Sequence, residues 1–101
     1  IVAHPSDGDW SRAVVAACGE AVAICAIPPC HWCDGSLVEL PPIAEACRKA
    51  GAALVVDATQ WVGAAPPIDV IALGVTFLAC SIHKWLLGPY GAALCYASPS
   101  F

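Results

Sequence analysis

The chain has 101 residues, of which 59% are hydrophobic and 12% charged, with a formal net charge of −4 and no methionine. Four basic residues against eight acidic ones exclude a nucleic-acid surface, which needs concentrated positive charge. The longest apolar run, 13–28, is broken at Gly19, Glu20 and Pro28. It falls short of the roughly 20 residues of a spanning helix, so no membrane partner is expected.

In chain order, Asp7-Gly8-Asp9 reads as a turn, with Asp9 or Ser11 capping a helix through Arg12, Val15 and Cys18 to a stop near Gly19. Residues 21–27 are apolar and partly β-branched and end at Pro28-Pro29, the pattern of a short buried strand. After a turn at 32–35, Pro41-Pro42 opens a second helix with the apolar stripe Ile43, Ala44 and Cys47. Arg48 and Lys49 suit the negative end of its dipole, and Gly51 its C-terminal cap. Residues 52–56 read as a parallel strand covered on both faces. A short helical stretch is expected near 69–73 and a third strand over 76–81. Only about ten residues then precede the last strand, 92–97, too few for a parallel crossover, so it is expected to run antiparallel to the third.

The expected fold class is α/β: part of a mostly parallel sheet with flanking helices and one antiparallel strand. Too few helical segments are available to cover both faces of such a sheet, and the chain opens on Ile1. Residues 1–101 are therefore expected to be the interior of a larger domain.

Seven cysteines are present. Cys18, Cys25, Cys47, Cys80 and Cys95 lie in apolar patterns, where a reduced thiol acts as a small buried hydrophobe. This implies a reducing, cytoplasmic setting. Cys30-His31-Trp32-Cys33 raises a metal or redox pair, but a structural zinc needs four ligands, and no second pair appears at similar spacing. No metal is expected.

Lys84 stands apart from Arg12, Arg48 and Lys49, which lie in solvent-facing helical patterns. It leaves an apolar strand in Cys80-Ser81-Ile82-His83-Lys84-Trp85. Apolar surroundings favour the free amine of a lysine, the form that attacks carbonyls, so a buried Schiff-base nucleophile is expected here. Upstream, Leu54-Val55-Val56 ends in Asp57, followed by Thr59 and Gln60. Ligands of open α/β sheets sit beyond the carboxyl ends of the strands, so Asp57 and the segment 81–84 are expected to converge on one crevice.

Asp57, Gln60, Ser81, His83 and Lys84 in this arrangement resemble the cofactor-binding residues of the class V aminotransferase family, pyridoxal-phosphate enzymes of fold type I. That family includes cysteine desulfurases, selenocysteine lyases, kynureninases and isopenicillin-epimerase-like proteins, and the likeness extends over about residues 10–97. The resemblance implies pyridoxal 5'-phosphate as cofactor, with Lys84 catalytic and joined to it. It also implies Asp57 at the pyridine nitrogen, Gln60 at the phenolic oxygen, Thr59 against one ring face, and Ser81 and His83 at the phosphate. His31 and Trp32 would run close to cofactor or substrate. Residues 88–91 would form the tight turn into the last strand, near a dimer interface; their glycine spacing also suits a phosphate cradle.

Residues 1–101 would then be the central part of the pyridoxal-phosphate-binding large domain, with the N-terminal portion and the C-terminal small domain outside them. The whole protein would be a homodimer acting on an amino-acid substrate by transamination, epimerisation or carbon–sulfur or carbon–selenium cleavage. The isolated segment would be inactive. Trp32 stands where many desulfurases carry asparagine, and Thr76-Phe77 where many relatives carry aspartate before phenylalanine. The alternative is a non-catalytic α/β scaffold or cofactor-binding module derived from that fold.

Overall fold

Helix α1, Trp10–Ala17, starts where Asp9 Oδ1 accepts a hydrogen bond from the Arg12 amide at 2.8 Å. Asp9 is thus the cap, while the other candidate, Ser11, accepts the Glu39 amide at 2.8 Å and ties this helix to the start of the next. The computed structural model describes residues 1–100. Helix α2, Leu40–Ala50, takes Pro41 and Pro42 in its first turn, where a missing amide donor costs no intrahelical bond. It ends at Gly51 with φ 70°, a left-handed cap that glycine adopts without a Cβ penalty. Its buried face is Leu40, Ile43, Ala44 and Cys47, set against α1 and the second strand.

Four strands, β1 (Ile24–Ile27), β2 (Ala53–Asp57), β3 (Phe77–Ser81) and β4 (Ala93–Ala97), form one sheet in that order. The β1–β2 and β2–β3 pairs are parallel and β3–β4 is antiparallel, as the short last connection requires. The mixed, mostly parallel α/β fold expected from the sequence is present. Local boundaries differ for identifiable reasons. β1 starts at Ile24 rather than 21 because the Val22 amide is spent in a turn, bonded to the Gly19 carbonyl at 2.9 Å.

The helix expected near 69–73 is a single turn. Asp69 Oδ1 takes the amides of Ile71 and Ala72 at 3.1 and 2.9 Å, and Gly74 at φ 64° stops the turn before a second can form. Thr76 precedes β3 instead of opening it, yet it fixes the register. Its amide donates to the Leu54 carbonyl at 2.8 Å, and its hydroxyl accepts the Leu54 amide at 3.1 Å.

Ile43, Leu54, Val56, Val75 and Cys80 are almost wholly buried and form the centre of the core. Each large side chain among them contributes about 1.5–3 kcal/mol of burial. β1 and β4 depart from the expected burial: in β1 only Cys25 is buried and Ile24 is 63% exposed, and in β4 only Tyr96 is half-buried, with Cys95 exposed instead of packed. Among the described residues, no helix is long and apolar enough to cross a membrane.

Candidate functional site

β2 and β3 are parallel neighbours, so their carboxyl ends emerge side by side. At the end of β2, Asp57 is exposed, and its Oδ1 accepts the Thr59 amide at 3.0 Å, which folds the chain back at once. Thr59 Oγ1 in turn accepts the Ser81 amide at 3.1 Å, stitching the exit of β2 to the exit of β3. Gln60 Oε1 accepts a hydrogen bond from Trp85 Nε1 at 3.1 Å. Of the segment 81–84 expected to converge with Asp57 on one crevice, Lys84 does so. Asp57, Thr59, Gln60 and Lys84 line one cavity of 140 Å³ together with Pro28, Cys30 and Trp32.

Lys84 is half-buried, not enclosed as its apolar sequence context led one to expect. The reason is the loop that carries it, where Leu87 points to solvent and Trp85 is about half exposed. That loop is tight. The Leu87 amide bonds the Lys84 carbonyl at 3.1 Å, the Gly88 amide bonds the Ile82 carbonyl at 2.9 Å, and Leu87 sits at φ 55°, a conformation costly for a branched side chain. Gly63 (φ 93°) packs against it so closely that a Cβ would lie 2.8 Å from the Trp85 carbonyl oxygen. Two turns from separate parts of the chain thus hold the lysine backbone in place.

Arg12 pairs with Asp7 and Asp9, and Arg48 and Lys49 pair with Glu45. Among the described residues, Lys84 is the one lysine or arginine without an ion pair, and Asp57 also has none. A cation and an anion lining one small cavity without touching leave both available to a third group between them.

The remaining candidates lie around this centre. Ser81 is joined to it through the Thr59 bond, but neither Ser81 nor His83 lines the cavity. His83 stacks on Tyr90, with ring centroids 4.5 Å apart and planes at 20°. Trp32 lines the cavity, whereas its neighbour His31 faces a different one. His31 stacks on Trp10 at 6.3 Å and meets Asp34 Oδ1 through Nδ1 at 3.1 Å. Bonds from Ser36 and then from His31 hold the Asp34 carboxyl down at about 2.

Sequence reasoning did not single out Pro28 and Cys30 as cavity walls, or Trp85 as the partner of Gln60. The adjacency of Trp85 to Lys84 was the available signal for the last. It also took Cys18, Cys25 and Cys47 one at a time, although the three thiols meet within 4.8 Å of one another. Burial pushes the Cys47 thiol up to about 12 and raises Cys25 as well. Cys30 and Cys33 are both free, and Cys33 is exposed.

The family model for aminotransferase class-V matches residues 9–101. An uncharacterized aminotransferase of Bacillus subtilis strain 168, YcbU, is 42% identical over 77 residues, which are 76% of this chain and 20% of that protein. Among solved structures, a cysteine desulfurase from Thermococcus onnurineus NA1 superposes with a TM-score of 0.82 at 25% identity, covering 96% of this chain and 24% of its own. An alanine–glyoxylate aminotransferase from Nostoc sp. superposes with a TM-score of 0.70 at 30% identity, covering 76% of this chain and 20% of its own. The chain spans about a fifth to a quarter of the length of these proteins. The four-stranded mixed sheet with its two helices is the fold type I arrangement these neighbours share with it. By the extent of the family match, and with this geometry at the strand ends, the chain belongs to the class-V aminotransferase family.

Proposed function

We propose that residues 1–101 are the central part of the large domain of a pyridoxal-phosphate enzyme acting on an amino-acid substrate, with Lys84 as its catalytic residue. The observation that carries this reading is the convergence of Lys84 and Asp57, unpaired among the described residues, with Thr59 and Gln60 on one cavity. At 140 Å³ that cavity is smaller than the about 300–1,000 Å³ of small-molecule sites, as suits one wall of a larger site.

The donor and acceptor chemistry fits the cofactor. One Asp57 oxygen is held by the Thr59 amide, which orients the carboxylate and leaves the other oxygen to accept from a protonated pyridine nitrogen. Trp85 occupies the Gln60 amide oxygen, so the amide nitrogen is the end left to donate to a phenolic oxygen. The Thr59 oxygen is engaged by the Ser81 amide, which gives Thr59 a packing role at the ring. Ser81 and His83 would supply hydrogen bonds to a phosphate at the end of β3, with His83 steadied by Tyr90.

Pyridoxal phosphate, when bound, supplies an aldehyde that captures amines and a ring that withdraws electrons from the substrate's α-carbon. Lys84 Nζ is the amine that would engage that aldehyde and move a proton at the α-carbon. Asp57 would keep the ring nitrogen protonated. Trp32 forms part of the cavity wall, and His31, engaged with Trp10 and Asp34, braces the loop that carries it. The 42% identity to a protein named as an aminotransferase, and Trp32 where many desulfurases carry asparagine, favour transamination over carbon–sulfur cleavage. Exposed Leu86, Leu87, Tyr90 and Leu94 around the lysine loop support a homodimer, and seven free cysteines support a reducing, cytoplasmic setting.

The test uses the intact protein that contains this chain. After loading with pyridoxal phosphate and reduction with borohydride, peptide mapping should find the label on Lys84, and Lys84→Ala should abolish both label and amino-acid turnover. A well-folded intact protein that neither colours nor labels would overturn the reading. Labelling at Lys84 without turnover of any amino acid would replace it with a cofactor-binding module.

A further inference from the structure

We propose that Cys18, Cys25 and Cys47 form a three-sulfur site for a trivalent thiophilic metalloid, taken up as its neutral hydroxide, of which arsenite is the accessible example. The ligands come from three separate elements: the C-cap of α1, the middle of β1 and the third turn of α2. All three sulfur atoms lie within 4.8 Å of one another, and Cys18 Sγ and Cys47 Sγ are 3.7 Å apart. Sulfurs bonded to one centre at about 2.3 Å, a usual metal–thiolate length, stand roughly 3.4 to 4.0 Å apart from pyramidal to planar geometry. The cluster therefore needs only a small contraction to close on an ion.

Coordination number and charge select the class of ligand. Among the described residues, no further histidine, cysteine or carboxylate joins the group, so a four-coordinate structural zinc is left incomplete. Cys25 and Cys47 are buried in an apolar core with no charged side chain among its buried members. A monovalent or divalent ion on three thiolates would leave net negative charge there, and unpaired buried charge is strongly penalised. A trivalent centre on three thiolates is neutral.

The exchange also balances without a redox step. Three sulfur–metalloid bonds form as three oxygen–metalloid bonds break, and each thiol proton leaves on a departing hydroxide as water. The ligand has a route in, because a cavity of 370 Å³ is lined by Cys18 and Cys25 together with Val14, Val22 and Ile24. The site lies under the helices, on different residues from the cavity at the strand ends that holds Lys84.

The experiment treats the reduced intact protein with sodium arsenite and measures bound arsenic by native mass spectrometry, with protected thiols mapped by alkylation and peptide analysis. One arsenic per chain is expected, with Cys18, Cys25 and Cys47 protected together and Cys30 and Cys33 still alkylated. Cys18→Ser, at the half-buried position, should keep native circular dichroism and weaken arsenite retention at least tenfold. Cys25→Ala and Cys47→Ala should do the same, and the double variant Cys30→Ser/Cys33→Ser should retain arsenite as the parent does. Absence of bound arsenic, protection that maps to Cys30 and Cys33, or undiminished retention by a natively folded Cys18→Ser protein would each overturn the proposal.

Discussion

Strands β2 and β4 of the sheet are built differently. β2, inside the sheet, carries its own cover: α2 lies on it, α1 lies on α2, and Ile43, Leu54 and Val56 are at most 1% exposed, while β1 beside it leaves Ile24 63% exposed. The β4 end has none of this. Leu94 is 55% exposed on a strand joined to β3 by a full antiparallel ladder, and Tyr90 and Leu87 in the loop before it are 85% and 91% exposed. Backbone pairing therefore places β4, while side-chain burial places β2. The candidate site stands between these regimes, with Asp57 leaving the buried strand and Lys84 leaving the strand that borders the exposed one.

This contrast orders the expected effects of substitution in the intact protein. Ile43→Ala empties a fully buried position on the inner face of α2 and should cost about 2–5 kcal/mol in urea unfolding. A loss no larger than that of a surface substitution would mean that the helical half is not the stability centre. Asp57→Asn comes next. Its amide oxygen can still accept the Thr59 amide, so folding should hold, while turnover with pyridoxal phosphate should fall by roughly a hundredfold or more as the preorganised charge at the ring nitrogen is lost. Equal turnover in both proteins would remove Asp57 from the cofactor site.

Gly63→Ala should cost about 1–3 kcal/mol, from the strain of φ 93° and the 2.8 Å approach to the Trp85 carbonyl. Since the displaced atom belongs to the lysine loop, cofactor affinity should weaken along with the melting temperature. Leu94→Ser on the exposed strand should change stability by no more than about 0.5 kcal/mol. Sedimentation should show whether the variant shifts the protein toward monomer; an unfolded variant would mean that β4 is buried by this chain alone.

The smallest effect is electrostatic. The Asp34 carboxyl is depressed from 3.8 to about 2, first by bonds from Ser36 and then by His31. A depressed carboxyl contributes stability above its unfolded value and loses that contribution as the pH falls through the folded one. The 30–37 turn should therefore loosen only between about pH 3.8 and 2, followed by the Ser36 amide shift in a pH titration. A midpoint near 3.8 would show that these bonds do not form in solution.

The direction of the strands, the start and stop of both helices and the placement of Asp57 and Lys84 at strand exits could be read from residues alone. They rest on local physics: Asp9 accepts an amide at a helix start, Gly51 adopts a left-handed cap, and the connection before β4 is too short for a crossover. What the sequence did not disclose depends on contacts between distant segments. A near-continuous apolar run reads as buried, but how far Lys84 and Cys95 are covered depends on what packs over β4, which no local pattern encodes. The turn at 69–73 looked helical because propensity is summed over neighbours, whereas one aspartate side chain and Gly74 decided it. The meeting of Cys18, Cys25 and Cys47, and of Gln60 with Trp85, arises only when α1, α2, β1 and the two strand exits are brought together. The sequence determined which groups the protein carries to the ends of its strands; tertiary packing decided which of them touch, because proximity across the sheet depends on register and helix docking rather than on spacing along the chain.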